Sequence, residues 1–538
     1  MSLTLTRLDW IICIGALFAN IAAGLWIALY TRKNASSDSF FLAGRRLMWP
    51  TVGASLFATN IGAEHLVGLS GDSYRYGICA GTVELTAIIS LGFATGVLIP
   101  YYMKNRVFTI PEFLELRYRP AARLCFSGLM LFICIVTKMA FSLYAGALVL
   151  HSLVGWDVMT TIFALAAATA VITMIGGFGA VAYTDAIHAP IMLLGSALVV
   201  FIGLHKVGGW HGLCQAIQAS PLPDALHIHR PYTDKIFPFW GVLMTATYGG
   251  FFYWGMDQVN VQRVLGARDL NQARWGTMFA ALLKLTPVFI FALPGVIALA
   301  LYPGRESRTT FVTILNEMLP TGIRGYVLSA LVGAVISALI AVMNSISTMS
   351  VRDFLLRIRP ETSDRAQVIW GRMAIAFAAV LGCGAAWVVY IQPEGIFKYL
   401  LTINSYLVMP LTPAIAFGIM SKKVTFKGAA ASVFVGLVLC SFFVVDALMP
   451  PARAARLFPV LHTTFTENYT YRGVLGTAII TGVLFLVSAF TRKTSLEKLA
   501  GTTIDWNREW EPFRGISDWR LHLAILSGIT ILAYWFMW

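Results

Sequence analysis

Apolar runs long enough to cross a bilayer recur from one end of this chain to the other, leaving little room for any other kind of fold. Fourteen can be counted, at roughly 9–31, 50–70, 81–103, 124–150, 158–178, 183–204, 237–258, 275–302, 325–351, 371–391, 397–420, 428–448, 473–491 and 521–538. A helix needs about 20 apolar residues to span the hydrocarbon, where every backbone N–H and C=O must be satisfied within the protein. The expectation is an all-α, polytopic membrane protein of about 14 transmembrane helices, with residues 1–538 forming a single membrane domain. Composition agrees: 58% of residues are hydrophobic, 12% are charged and the mean hydropathy is +0.73, which excludes an ordinary soluble domain. The first run is expected to be a span rather than a signal peptide. It has full span length, opens with one Arg instead of a basic cluster, and lacks a small-residue cleavage site after it.

The net charge of +14 is distributed as membrane topology, not as a nucleic-acid surface. Loops 32–49 (Arg32, Lys33, Arg45, Arg46), 104–123, 259–274, 352–372, 421–427 and 492–520 hold 26 Lys and Arg, whereas the alternate loops and the termini hold 11. Lys138, Lys284 and Lys398 lie within or at the start of spans. The positive-inside rule then puts the richer set in the cytoplasm and both termini outside, in a plasma (inner) membrane. Seven scattered cysteines without a CxxC suggest neither a disulfide framework nor a metal site; they suit apolar packing. Segment 492–520 carries Trp506, Trp510 and Trp519 among charges, as an interfacial segment would, and a solvated connector is the competing reading. The long outer loop at 205–236 is placed to cover an outer vestibule.

The second run does not resemble a plain span. Residues 55–71 read SLFATNIGAEHLVGLSG, with Asn60, Glu64 and His65 at membrane depth and Gly62 and Gly68 around them. Helix-breaking polar sequence survives there only where it is buried in protein or lines a cavity, and discontinuous helices of this kind build binding sites in secondary transporters. A packed span with interhelical hydrogen bonds is the plainer alternative. Five spans later, 248–258 reads YGGFFYWGMDQ. A second interruption there would make an inverted repeat with its site at the interface, although Gly249 and Gly250 would also suit close helix packing. Pro410 and Pro413 interrupt the eleventh run, where a gate benefits from a hinge.

Ionisable residues within spans cost about 2.5–3.5 kcal/mol on insertion scales, so each needs a reason. Glu84, Lys138, Asp185 and Lys284 are the cases here. If Glu84 and Lys284 meet at a central cavity, the carboxylate accepts from hydroxyls and the ammonium donates, which suits a neutral polyhydroxylated ligand; a structural ion pair is the alternative. Asp185 is either a cation or proton site or the partner of a neighbouring cation. Lys138 is expected to be structural. Tyr253 and Trp254 either stack on the C–H face of a sugar or belong to an interfacial belt. No HExxH, GxSxG or paired catalytic carboxylates occur, so an enzyme is not expected.

Several segments together carry a resemblance: DSFFLAGRRLMWP, SLFATNIGAEHLVGLSG, IPEFLELRYRP, GGFGAVAYTDAIHAPIMLLGS, YWGMDQVNVQRVLGARDLNQA, LLKLTPVFIFALPG and MNSISTMSVRDF. From residue 39 to about 425 the chain resembles the sodium/solute symporter family, most closely its sodium/glucose and sodium/galactose cotransporters. The resemblance implies a LeuT-like 5+5 inverted repeat with broken helices, the repeats falling at about 50–204 and 237–420. Helices 9–31, 428–448, 473–491 and 521–538 would flank them. It implies sugar contacts at Asn60, His65, Glu84, Tyr253, Trp254 and Lys284, with Tyr253 as an inner gate. A glutamine usual in the YxxxINSY stretch is Leu401 here, which removes one hydrogen-bonding partner. It further implies a sodium site from the backbone carbonyls of Ala58, Ile61 and Ala334 and two serine hydroxyls. The first serine is Ser337 but the second position is Ala338. Asp185 matches an acidic position tied to coupling or a second cation, but Ile340 and Ala341 lack the hydroxyls of that second site, though Thr59 remains. At most one sodium is therefore expected.

The function expected on these grounds is sodium-coupled symport of a sugar, a hexose such as glucose or galactose, by alternating access. Its partners are the sugar, the sodium ion and the bilayer, with no nucleic acid. The alternatives are a same-fold symporter of another organic solute, proton-coupled sugar symport, and a non-transporting sugar sensor.

Overall fold

The computed structural model describes residues 5–31, 36–62, 64–234, 236–391, 408–448, 456, 468–506 and 511–538. Lys398, Leu401 and Trp510 lie outside them. Among the described residues every regular element is helical, apart from an isolated bridge between Leu47 and Ala267. Ten helical stretches there are long and apolar enough to cross a membrane.

The elements that position the site are α1 (Arg7–Thr31), α2 (Trp49–Asn60), α3 (Ser70–Tyr76), α4 (Thr82–Phe93), α5 (Pro120–Phe132), α6 (Val158–Val207), α7 (Phe239–Gly255) and α8 (Gln258–Leu265). After them come α9 (Leu270–Leu283), α10 (Ile323–Met349), α11 (Asp364–Tyr390), α12 (Leu411–Met420), α13 (Phe426–Leu448), α14 (Tyr469–Ala489) and α15 (Trp519–Phe536). The packing has two groupings. In one, α2 lies along α9 and α4 along α7; in the other, α1, α6, α10 and α11 pack on one another. Helix α2 belongs to both, because it also packs on α6 and α10.

The second run breaks as its sequence suggests. Helix α2 stops at Asn60, Ile61 is extended (φ −88°, ψ 113°), and helical structure resumes as a π-turn at Glu64–Leu69 leading into α3. The seventh run corrects the second expected interruption, because α7 continues through Gly249 and Gly250 and ends only at Gly255. A Cβ on Gly250 would come 2.9 Å from the Cβ of Ser90 on α4. This glycine permits a close crossing instead of breaking the helix, and the chain departs from helical geometry at Met256 (φ −133°) before α8.

The fifth and sixth runs are joined without a loop. Gly177 turns the chain within α6 at φ 59° and ψ −158°, a conformation that favours glycine, and an added Cβ would lie 2.8 Å from the carbonyl oxygen of Phe40. Segment 259–274 is not the solvated loop that its charges suggest, because residues 259–265 belong to the buried helix α8 and the next helix starts at Leu270.

The N-terminal helix is fastened to α10 and to α6. Asp9 accepts from the backbone N–H of Gly322 (2.7 Å) and Gly325 (3.3 Å) at the start of α10, and a Cβ on Gly24 would lie 2.8 Å from the Cα of Thr184 on α6. The outer loop folds over the end of α3: the N–H of Ile78 donates to the carbonyl of Ala225 (2.7 Å), and Arg230 donates to that of Tyr76 (2.9 Å).

Candidate functional site

Three helix ends converge where α2 breaks. Asn60 is the last residue of α2, Glu84 sits in the first turn of α4, and Lys284 caps the C-terminus of α9. The two charges complement the helix dipoles, a carboxylate at an N-terminus and an ammonium at a C-terminus. Helix α9 stops at Leu283 and helical structure resumes at Pro287, whose ring nitrogen has no proton for an intrahelical bond.

The Lys284 ammonium donates to Oε2 of Glu84 and to Oδ1 of Asn60. Nε2 of His65 lies 3.3 Å from the other Glu84 oxygen, and its Nδ1 faces the N–H of Gly62 at 3.4 Å. Asn60 in turn donates to the Tyr253 hydroxyl at 3.1 Å. Trp254 lies beneath the ammonium, 5.8 Å from Nζ to the ring centroid, and meets Tyr253 edge to face at 5.0 Å. All six residues named from the sequence thus form one cluster. Lys284, Trp254 and Glu84 are buried, while Asn60, His65 and Tyr253 keep partial exposure. Donors and acceptors alternate along an aromatic wall, and a ligand bearing several hydroxyls can replace each internal bond with one of its own.

A second carboxylate lies deeper. Asp185 of α6 is fully buried and accepts from Ser55 (2.7 Å) and Thr59 (3.1 Å), both on α2, and from Ser337 on α10. The guanidinium of Arg263 on α8 completes the set at 3.4 Å. Ala58, Ile61 and Ala334, the positions named for carbonyl ligation, are fully buried and lie within three residues of Thr59 or Ser337 in sequence, and Ser337 is buried as well. Ser337 donates its proton to Asp185, so its oxygen lone pairs remain available to a cation. Ala338, Ile340 and Ala341 add no side-chain oxygen. Among the described residues no group of three or more His, Cys, Asp and Glu is arranged to hold a metal. A hard cation here depends on carbonyl and hydroxyl oxygens, the ligand type such ions prefer.

Arg263 is the residue that sequence reasoning passed over, because it lies in a segment taken as a basic loop. Helix α8, capped by the Asp257 carboxylate (3.1 Å to the N–H of Val259), buries a polar set instead. Gln262 bonds the carbonyl of Phe41 and the hydroxyl of Thr348, each at 2.7 Å. Gln258 pairs with the backbone of Ile110 (2.9 Å) and Phe108 (3.1 Å), and Asn260 donates to the carbonyl of Tyr253 (2.9 Å). The available signal was the aspartate at position 257 opening a run with apolar residues at 259, 261, 264 and 265, a helix start followed by helical spacing. Lys138 pairs with Asp257 and so has a structural partner.

The basic-loop end is closed by further ion pairs. Asp353 accepts from Thr109 (2.8 Å), Arg123 (2.8 Å) and Ser127 (2.9 Å). Glu115 lies 2.9 Å from both Arg123 and Arg357. Burial opposes ionisation of Glu115, but the two guanidiniums outweigh it and hold its carboxyl below the usual range.

Residues 40–436 match the Sodium:solute symporter family. The sodium/myo-inositol cotransporter 2 of Mus musculus is 33% identical over 454 residues, covering 78% of this chain and 67% of its own length. The sodium/glucose cotransporter 1 of Ovis aries is 30% identical over 519 residues, covering 88% and 77%. A solved structure of a Na+-coupled sialic acid symporter, substrate-bound and outward-open, superposes with a TM-score of 0.75 at 19% identity over 91% of this chain and 99% of that one. The fold is shared.

Proposed function

Because this chain belongs to the sodium:solute symporter family and is a sodium-coupled solute symporter, we propose that its solute is a sugar, a hexose such as glucose or galactose, held where α2 breaks. The observation that carries this reading is the Lys284 ammonium shared between Glu84 and Asn60, with His65 on the other carboxylate oxygen. Such a group recognises a neutral polyol, whereas an anion would meet Glu84 and a cation would meet Lys284. Trp254 and Tyr253 supply apolar faces for the ring, and Tyr253 is the inner gate. A cyclic polyol is the second reading, favoured by the likeness to a protein named a sodium/myo-inositol cotransporter.

Sodium is ligated by the carbonyls of Ala58, Ile61 and Ala334 and by the Ser337 hydroxyl, which Asp185 orients. The Arg263 guanidinium takes the place of a second cation beside Asp185, so one sodium moves per cycle. A single charge still provides about 2.3 kcal/mol per 100 mV of membrane potential. Sodium braces α2 against α10 and so favours the state with an assembled sugar site; its release inside disassembles that site. This is a population shift through differential affinity.

Counting the broken segment from Trp49 to Tyr76, α7, the run ending in α12, and α6 as two spans brings the ten apolar stretches to fourteen. The repeats are then about 50–204 and 237–420, in a plasma membrane with both termini outside. Cysteine labelling from outside should reach position 231 and miss position 500; the reverse would overturn that orientation. For the substrate, uptake of labelled hexoses and inositols into proteoliposomes with and without a sodium gradient is decisive. Sodium-dependent hexose accumulation is the expected result. Accumulation of inositol alone selects the second reading, and binding without uptake would mark a sensor.

A further inference from the structure

The basic-loop end of the molecule carries a cavity whose lining includes no residue of the solute cluster. It measures about 780 Å³ and lies between the helix Ile99–Lys104, the start of α9, the segment after α14 and the start of α15. This is within the range of ligand pockets, about 300–1,000 Å³. Lys104, Arg274, Lys422 and Arg520 line it, against the carboxylates of Asp505 and Glu511. The lining therefore has an excess of cations.

Arg274 is the built part of this site. It is only 7% exposed, its Nη1 donates to Glu511 at 3.0 Å, and its guanidinium lies 5.5 Å over the Trp519 ring. Its Nε is buried without a hydrogen-bond partner among the described residues, although a buried donor is ordinarily paired. Lys104 likewise has no acceptor there. Lys422 is held by Asp505 at 3.2 Å at the exposed rim. A fork of guanidinium N–H groups and a nearby ammonium match the oxygens of a phosphate. The tryptophans anchor the walls: Trp506 donates to the carbonyl of Met420 (2.9 Å), and Trp519 packs on Gly96. Interfacial tryptophans of this kind sit at headgroup level, where basic pockets between helices receive lipid phosphates.

We propose that this cavity binds a phosphate-bearing anion, supplied by the headgroup of an anionic glycerophospholipid or by a soluble phosphate ester. The purified full-length protein in neutral detergent provides the test, through its thermal unfolding midpoint. The titrants are short-chain phosphatidylglycerol, short-chain phosphatidylcholine, and inorganic phosphate against chloride of equal ionic strength. Phosphatidylglycerol should raise the midpoint and phosphatidylcholine should not. A response to phosphatidylglycerol alone identifies the lipid source, and a response to inorganic phosphate identifies the soluble one. Arg274→Gln and the exposed Lys104→Gln should each weaken the response roughly tenfold, the scale of a lost charge-assisted hydrogen bond. Arg359→Gln, on the same side but outside the cavity, should leave it unchanged. If Arg274→Gln does not fold, Lys104→Gln decides alone. An equal rise with the two lipids, no shift with either phosphatidylglycerol or inorganic phosphate, or a wild-type response in Lys104→Gln overturns the proposal.

Discussion

Two buried carboxylates, Glu84 and Asp185, are each matched by a buried cation, but their surroundings differ. Glu84 and Lys284 sit at helix ends next to partly exposed neighbours, and their partners Asn60 and His65 come from the broken segment. Asp185 lies in mid-helix and is closed in by hydroxyls from α2 and α10 and by Arg263 from α8. The first arrangement is placed to exchange its internal bonds for those of a ligand, because Asn60, His65 and Tyr253 at its edge are partly exposed. The second joins α2, α8 and α10 to α6 and cannot give up its Arg263 pair without leaving an unpaired buried charge. On the proposed function, the first group recognises the solute and the second fastens helices.

The largest effect that separates them is on stability. Asp185→Ala leaves Arg263 buried and uncompensated and should destabilise the protein by about 3–5 kcal/mol, read as the unfolding midpoint in detergent. Asp185→Asn combined with Arg263→Gln should recover much of that loss. A variant as stable as wild type would dissolve the contrast. Next is transport: Glu84→Ala or Lys284→Ala removes at least two charge-assisted bonds to the solute, about 3 kcal/mol or more. Uptake should fall a hundredfold or further while folded protein remains in the membrane. Wild-type uptake in both would make them a second structural pair.

Ala338→Ser sharpens the ion side of the comparison. It restores a hydroxyl to a hard-cation shell, about 1.5–3 kcal/mol, and should raise apparent sodium affinity ten- to hundredfold in uptake assays. An unchanged sodium dependence would move the ion away from Ser337. The smallest effect lies in the peripheral ion pairs. Because the folded-state pKa of Glu115 is lowered, its contribution is complete above its unfolded value, near 4.3, and is lost as pH falls through the folded value. Unfolding midpoints should be insensitive to this group from pH 7 to 5 and decline below that. Arg357→Gln should shrink the acid loss by under about 1 kcal/mol, and an equal loss in both proteins would remove Glu115 from the network.

The cluster around Glu84 and Lys284 was legible because it offends the rules of a membrane span. Asn60, His65, Glu84 and Lys284 are polar where hydrocarbon penalises polarity, and Gly62 follows Asn60 where α2 ends. The fastening cluster was half legible. Asp185 stood out for the same reason, but Arg263 did not, since an arginine in a polar stretch between spans is ordinary until tertiary packing buries it. Gly249 and Gly250 misled in the opposite sense. A glycine pair is equally compatible with a break and with a close crossing, and only the position of Ser90 on a neighbouring helix decides. Lys138 gained its meaning from Asp257, over a hundred positions away in sequence, a distance that no local pattern spans.

Helix α1 has a mechanical consequence. It touches α10 through Asp9 and the glycines after Leu319, and it touches α6 through Gly24, with no clearance for an added methyl group. Such a strut resists shear between the two helices it bridges, because sliding either one breaks buried contacts that water cannot replace. On the proposed alternating-access cycle, α1, α6 and α10 are expected to behave as a chassis, leaving the working stroke to α2, α4, α7 and α9. Because α2 packs on α9 of one assembly and on α6 and α10 of the other, with α8 beside it touching both, it is placed to be the axle between them.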